Sequence, residues 1–368
     1  MRVGIDATSL CRKHTGIEYY TLNLLKNILR IDNKTEYIIF FRKDIHPALK
    51  QFESKTKFLI CSINNQIFCE QIWLPYIIWK EKIDLMHFPA FPPGLLNFKK
   101  HIITIHDATI WKYPKTLSWK GKFYMKPLIT LATKRALKIL TVSNNSKKDI
   151  VKYSKLLPDK VENTGEAIME IFEPITNKIK LEEIKKKYSL NSKFILSVCS
   201  LEPRKNLVNL LMAYRSLKKI NPKIQHKLVL VGRKAWGKNL ISNKIKELKL
   251  ENDIIMTGYV SEEDLVCLYN LATIFVFPSI YEGFGLPPLE AMACGTPVVS
   301  SSTSSLPEIL GNAALMINPY DDKEIANGIN ILIHNIKLRK KLSGLGRKRV
   351  KKFSWENVAK KIINIYHS

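Results

Sequence analysis

The sequence predicts an α/β protein made of two doubly wound domains, each a parallel sheet wrapped by helices. Three observations carry that expectation. A chain of 368 residues is long for one hydrophobic core and comfortable for two. Short β-branched runs alternate with amphipathic stretches along its whole length, the pattern of βα units. A polar, charged interval near the middle separates two such series.

In the first series the strand candidates are RVGID, EYIIFF, KFLIC, LMHF, HIITIHD and KILTVS, with helical patterns such as 17–31 and 67–82 between them. The interval at about 163–192 holds turn residues and then a charged helix, and reads as the link. The second series runs KFILSVCS, KLVLVG, DIIMTGY, TIFVFPS, PVVSS and ALMI, with helices over about 205–220, 238–248, 261–270, 286–294 and 322–335. These series place the domains at 1–165 and 166–352. Two such domains facing each other leave a cleft at the carboxyl ends of both sheets, where ligands of this fold class bind.

Composition narrows the class. Hydrophobic residues make up 46% of the chain, ordinary for a globular protein. No apolar run approaches the roughly 18 residues of a membrane span. The opening MRVGIDATSL reads as a strand, without the apolar stretch of a leader. Six cysteines are scattered without C-x-x-C or metal-ligand spacing, which suits reduced thiols and a cytoplasmic location. The charge is the unusual total: 59 basic against 32 acidic residues, a net +27. An anionic partner accounts for that balance. So does the Lys, Ile and Asn bias of an AT-rich genome, and at this stage both accounts stand.

The stretch YEGFGLPPLE (281–290) sets two carboxylates, Glu282 and Glu290, around a turn poor in side chains. TIFVFPS before it is a buried strand, so IYEGFG is the loop at its carboxyl end. Pro287 and Pro288 suit the first turn of a helix, and Gly295 with Pro297 closes it. Glycines let backbone approach a ligand, and the helix N-terminus favours phosphate. Carboxylates there would repel phosphate but accept bonds from hydroxyls, so the combination points to a molecule with both, a sugar nucleotide. An ordinary βα turn, with Glu282 assisting the helix dipole and Glu290 solvated, fits this window alone equally well.

A larger pattern decides between them. FPSIYEGFGLPPLEAMACGTPVVSSSTSSLPEILGNAALMINPYD (277–321) is similar, almost position by position, to the donor-site signature of retaining glycosyltransferases of the GT-B fold, glycosyltransferase family 4 (group 1). SLEPRKNLVNLLMAY (200–214), TIHDATIWKYP (104–114), TVSNNSKKDI (141–150), GIDATSL with TGIEYYTLNLLKNI (4–28) and FSWENVAKKI (353–362) resemble further blocks of that family, in its order. The resemblance covers essentially the whole chain. It lies nearest the mannosyl- and rhamnosyl-type transferases of bacterial surface polysaccharides. It implies two Rossmann-like β/α/β domains facing across a cleft, the first binding the acceptor and the second the nucleotide sugar. Residues 353–368 would form a helix crossing back to the first domain.

The same resemblance implies roles. Glu282 would hold hydroxyls of the transferred sugar, helped by the backbone of Gly283, Phe284 and Gly285; Glu290 would hold the ribose, with Leu286 and Gly16 also among the donor-binding residues. Lys205, with Arg204 in place of the arginine many relatives carry at Ser200, would stabilise the leaving diphosphate at the start of a helix. His106 would position a sugar hydroxyl, and Asp107 would cap. Gly16 matches a glycine loop that approaches the phosphates, although Glu18 and Tyr19 depart from the family's T-G-x-G-R-Y. His87 reads better as packing. No metal-binding D-x-D pattern flanked by a strand is present, and YDD (320–322) reads as an N-cap cluster, so no metal and no cofactor are expected beyond a GDP- or UDP-linked donor.

The expected activity is therefore transfer of a hexose, mannose favoured, with retention, to a saccharide or lipid-linked acceptor. No specific nucleic acid is expected. The rival is a non-catalytic scaffold on the same fold that binds nucleic acid or membrane. The stretch 111–138 bears on partners: it carries Lys112, Lys115, Lys120, Lys122, Lys126, Lys134, Arg135 and Lys138, no acidic residue, and interleaved Trp111, Trp119, Phe123 and Tyr124. That mixture suits an anionic membrane surface. It suits equally a solvated lysine face with the rings packed inward.

Overall fold

A computed structural model describes residues 1–11, 16–63, 65–97, 99–114, 121–200, 202–232 and 238–368, leaving aside the side chains of Lys122, Lys238 and Asn239. The chain divides into two compact units, Met1–Ala167 with Ser354–Ser368, and Ile168–Phe353.

The first unit is built on a seven-stranded parallel sheet of order β3-β2-β1-β4-β5-β6-β7. Its strands are β1 (Arg2–Asp6), β2 (Glu36–Arg42), β3 (Lys57–Cys61), β4 (Leu85–Phe88), β5 (His101–Thr104), β6 (Lys138–Thr141) and β7 (Val161–Asn163). Ile38, Phe40, Met86, Phe88, Ile103 and Ile139 are buried on this sheet because helices cover it. The terminal helix Trp355–His367 packs on the helix Gly16–Ile31, with Trp355 edge-on to Tyr20 at 5.5 Å. It is pinned at its far end by Tyr366 Oη, 2.6 Å from His87 Nδ1.

Two elements differ from the sequence expectation. The helix expected over 67–82 is Gln66–Phe68, a wide π turn at Cys69–Trp73, and Leu74–Lys80. Pro75 has no N–H to give Gln71, and its ring crowds that carbonyl, so the helix loosens just before it. Strand β7 was not expected, because three residues of mixed polarity show no alternation.

The second unit carries a six-stranded parallel sheet of order β10-β9-β8-β11-β12-β13. The strands are β8 (Phe194–Val198), β9 (Lys227–Val231), β10 (Ile254–Gly258), β11 (Ile274–Phe277), β12 (Val298–Ser301) and β13 (Ala314–Ile317). Ile195, Leu211, Leu228, Ile274, Val276, Val299 and Ile329 are fully buried between sheet and helices. Each such side chain contributes about 1.5–3 kcal/mol. The helix Ile336–Val350 was not expected, since its basic, glycine-bearing sequence hides its periodicity. Gly346 lets it press on Met292, whose Cγ would lie 2.9 Å from any added Cβ.

Strand order opens a crevice in this unit. β8 and β11 are neighbours, but the chain leaves them toward opposite edges of the sheet. The loops at their carboxyl ends therefore diverge and leave a gap between them. Among the described residues no helix is long and apolar enough to cross a membrane.

Candidate active site

From β8 the chain runs into a tight 3₁₀ turn, Pro203–Lys205, and only then into the helix Leu207–Ile220. Arg204 and Lys205 thus stand on a turn before the helix rather than on its first turn, because Asn206, which joins the turn to the helix, is left-handed at φ 62°. Asn206 is buried, and its amide donates to Pro278 O (3.1 Å) and Pro319 O (2.6 Å), fixing the turn to the ends of β11 and β13. The Ile280 N–H donates to Arg204 O at 2.8 Å, which ties the β11 loop to the same turn.

Glu282 sits where these loops meet. Lys205 Nζ lies 2.5 Å from Oε1, Arg204 Nη1 2.9 Å from Oε2, and Ser279 Oγ 2.7 Å from Oε1. Arg204 also reaches Tyr281 O (3.1 Å) and Glu202 (2.9 Å), whose carboxylate takes a bond from Ser200 at 2.6 Å. The side chains of Glu282 and Lys205 are only 10% and 11% exposed, so little water screens the pair. Burial alone would push the Glu282 carboxyl up, but Lys205 and Arg204 outweigh it and hold it below the usual carboxylate range.

The loop turns at Gly285, whose φ of 116° no side chain takes without strain and whose added Cβ would lie 2.7 Å from Leu306 Cδ2. The helix Leu286–Ala293 follows, with prolines in its first turn. Gly283 and Phe284 are buried in the loop, Phe284 edge-on to Phe353 at 5.5 Å, while Leu286 is half-buried at the helix start. Glu290, one turn in, has a different setting: Tyr269 Oη donates to it at 2.8 Å. Burial of its carboxyl, with Glu262 adding to it and the Tyr269 bond opposing, raises its pKa to about 7. An apolar hollow lined by Cys199, Leu230, Gly232 and Met256 opens at the ends of β8 to β10.

His106 and Gly16 belong to the first unit. His106 lies just past β5, its Nε2 3.1 Å from Pro89 O and its ring edge-on to Tyr20 at 4.6 Å. Burial lowers its pKa, and a carbonyl only accepts, so the proton sits on Nε2 and Nδ1 is left as an acceptor. Gly16 heads its helix in the open, and an added Cβ there would meet nothing within 4 Å. His14 and Thr15 lie outside the described residues. His87 is wholly buried between Tyr366 and Thr104 Oγ1 (2.9 Å), with burial lowering its pKa to about 3, and it serves packing. Asp107 accepts the Thr109 N–H at 2.8 Å.

The sequence reading missed the residues that hold the machinery: Ser279, Asn206, Tyr269 and the hydroxyls of 303–305. The run SSTSS was visible, but what its hydroxyls bind is set by the fold. In the stretch 111–138, Trp111 packs in the core with Nε1 3.2 Å from Thr130 Oγ1, and Lys112 pairs with Asp149 at 3.1 Å. Neither faces outward as a membrane contact would. Lys115, Trp119 and Lys120 lie outside the described residues.

Comparison with known proteins gives the family. Residues 180–349 match the family model described as glycosyl transferases group 1. The O-antigen chain mannosyltransferase B of Escherichia coli is 30% identical, over 96% of this chain and 96% of that one. A glycosyltransferase from Rickettsia africae superposes with a TM-score of 0.74 at 21% identity, over 99% of this chain and 97% of that one. An Anabaena protein, HepE, solved with UDP-glucose, superposes with 0.76 at 16% identity, over 100% and 99%. With two parallel sheets and a full-length relative at this identity, the chain belongs to the group 1 glycosyltransferases and has their GT-B fold.

Proposed function

We propose that the chain is a retaining, metal-independent transferase that moves a hexose, mannose favoured, from a nucleoside diphosphate sugar to a saccharide or lipid-linked acceptor in cytoplasmic polysaccharide synthesis. The observation that carries this is Glu282 clamped by Lys205 and Arg204 at the strand switch. A nucleoside diphosphate gains negative charge as the glycosidic bond breaks. Cations already held in place stabilise that charge more than the ground state. Glu282, kept ionised, accepts bonds from sugar hydroxyls, and Glu290 takes the ribose. His106 Nδ1 accepts from a sugar hydroxyl. The name of the E. coli relative favours mannose, and the Anabaena protein's ligand keeps UDP beside GDP in the panel. Assay of GDP- and UDP-linked sugars tests the reading. Turnover of GDP-mannose in EDTA, with an α-linked product from the α-linked donor, is expected. A β-linked product, or activity abolished by EDTA, overturns retention or metal independence respectively.

An anionic membrane is the partner surface we assign to the first unit. In 121–138, Phe123 (67% exposed), Lys134 and Arg135 face outward. Gln71 joins this segment to the helix before it, donating to Tyr124 Oη (3.1 Å) and accepting from Leu95 N–H (2.8 Å). Along 63–80, Ile63, Ile67, Phe68, Ile72, Tyr76 and Trp79 (70%) are all exposed. A chain of net +27 repels a second copy and is drawn to an anionic leaflet. Flotation with anionic vesicles, lost in Ile67→Glu with Tyr76→Glu, is expected. Equal recovery with neutral vesicles, or none with either, overturns it.

A further inference from the structure

The terminal helix reaches the surroundings of His106 from both of its ends. At the far end Tyr366 Oη meets His87 Nδ1, and His87 Nε2 lies 2.9 Å from Thr104 Oγ1, on the strand that leads to His106. At the near end Ser354 caps the helix, its side chain accepting the Asn357 N–H at 3.2 Å, and Trp355 begins the first turn. Trp355 packs edge-on against Tyr20 at 5.5 Å, and Tyr20 stands at 89° to the His106 ring with 4.6 Å between centroids. All three residues belong to the first unit.

The backbone of His106 is fixed separately. Its carbonyl accepts from Ser146 Oγ at 3.1 Å, and the Ile105 carbonyl accepts from Thr141 Oγ1 at 2.7 Å. What this leaves open is rotation of the imidazole about its Cβ–Cγ bond, a torsion with a broad profile. The bond between Nε2 and Pro89 O resists that rotation weakly, because Nε2 lies nearer the rotation axis than Nδ1 does. Nδ1 swings with the ring unless something stands against the ring itself. Tyr20 does so, since turning the imidazole away from the edge-on arrangement would drive it into the phenol ring. Tyr20 is wholly buried with Trp355 packed on it, so it does not yield.

We infer that Tyr20 and Trp355 are positioning residues for His106: Tyr20 sets the turn of the imidazole, and so the direction in which Nδ1 accepts, and Trp355 holds Tyr20 in place. This rests on the reading of His106 as acceptor of a sugar hydroxyl and gives the terminal helix a task at the site. Tyr20, with no exposed surface, touches no substrate atom itself.

A double-mutant cycle on the full chain tests it, read as release of nucleoside diphosphate from GDP-mannose or UDP-glucose, whichever the parent turns over faster. His106→Ala should slow release by about 10- to 100-fold and Tyr20→Leu by about 10-fold, as for a misplaced contact. Calorimetric binding of free GDP and UDP should stay within about twofold in both, because the crevice assigned to them lies in the second unit. In the His106→Ala background, Tyr20→Leu should add less than about twofold. Trp355→Leu should lose about threefold, and again almost nothing further without His106. Tyr20→Phe keeps a ring in the same place and should recover most of what Tyr20→Leu loses. A loss that Tyr20→Leu adds in full to His106→Ala would mean a general structural role and overturn the proposal, as would parent-like release in Tyr20→Leu. Trp355→Leu carries the same test if Tyr20→Leu does not fold, and full additivity there also overturns it. Parent-like release in His106→Ala would instead remove His106 from the site, and a parent that turns over neither donor would sink the donor reading. Either result takes the proposal with it.

Discussion

Two carboxylates eight residues apart on one strand–loop–helix turn are prepared in opposite ways. Glu282 is ringed by two cations and a hydroxyl and stays ionised, its carboxyl held below the usual range. Glu290 takes a phenol bond, and its carboxyl is raised to about 7. Desolvation is the largest single influence on both, and it acts in the same direction. What separates them is where the chain brings its cations. Lys205 is 77 residues from Glu282 in sequence but beside it in space, because β8 and β11 are neighbours. The helix holding Glu290 starts after the loop has turned away at Gly285. A loop site with fixed charge can face developing charge, whereas a helix site with a movable proton can respond to a ligand.

The largest expected effect breaks the Glu282 side. Glu282→Ala should cut transfer by about 100-fold or more, as when one preorganised transition-state contact is lost, with nucleoside diphosphate binding mostly kept. It should also cost about 3–5 kcal/mol in chemical denaturation, because Lys205 and Arg204 are left poorly hydrated without their partner. Transfer at the parent rate would remove Glu282 from the site. Lys205→Ala should be nearly inactive and should flatten the acid limb of stability. The sign follows from the lowered Glu282 pKa: its stabilisation is present above the ordinary carboxylate range and is lost as pH falls through the folded value. An acid limb identical to the parent's would show that Lys205 does not hold that carboxylate down.

Next comes the Glu290 side. A raised pKa means its contribution to stability is fully present below about 4.5 and is lost as pH rises through about 7. Ribose hydroxyls favour the ionised carboxylate, so nucleotide affinity should rise about tenfold from pH 6 to pH 8 as the ionised fraction grows. Glu290→Gln should make the profile flat, and Glu290→Ala should weaken nucleotide binding by about 1–3 kcal/mol. A parent profile already flat across this range would contradict the proton on Glu290.

Legibility in the sequence divides along similar lines. Apart from β7, the strands of both sheets were legible because parallel strands covered on both faces must be continuous apolar runs, as IFVF and KLVLV are. The helix Ile336–Val350 and strand β7 were not, since one carries its burial on few residues and the other is three residues long. At the site, spacing and resemblance pointed to Glu282, Glu290, Lys205 and Arg204. The ion pairs among them depend on strand order, which local pattern does not reveal. The left-handed Asn206, the buried Ser279 and the row 303–305 are ordinary residues whose importance comes only from the carbonyls and carboxylate oxygens the fold sets within their reach.

The smallest expected effect sharpens the comparison without breaking it. Tyr269 is fully buried, edge-on to Phe275 at 5.4 Å and to Phe172 at 5.9 Å, and its hydroxyl reaches Glu290. Tyr269→Phe keeps the ring and its packing and removes only the bond. Stability should fall by about 1 kcal/mol, the net worth of one hydrogen bond, measured below pH 6 where Glu290 is largely protonated in the parent. The bond lowers the Glu290 pKa, so its removal should move the midpoint of the nucleotide-affinity profile to higher pH, leaving the affinity at high pH close to the parent's. Glu282 takes no part in this, and the acid limb of stability should not move. If the midpoint stayed in place while the affinity fell at every pH, Tyr269 would be supporting the pocket by shape. The contrast between the two carboxylates would then rest on the cations beside Glu282 alone.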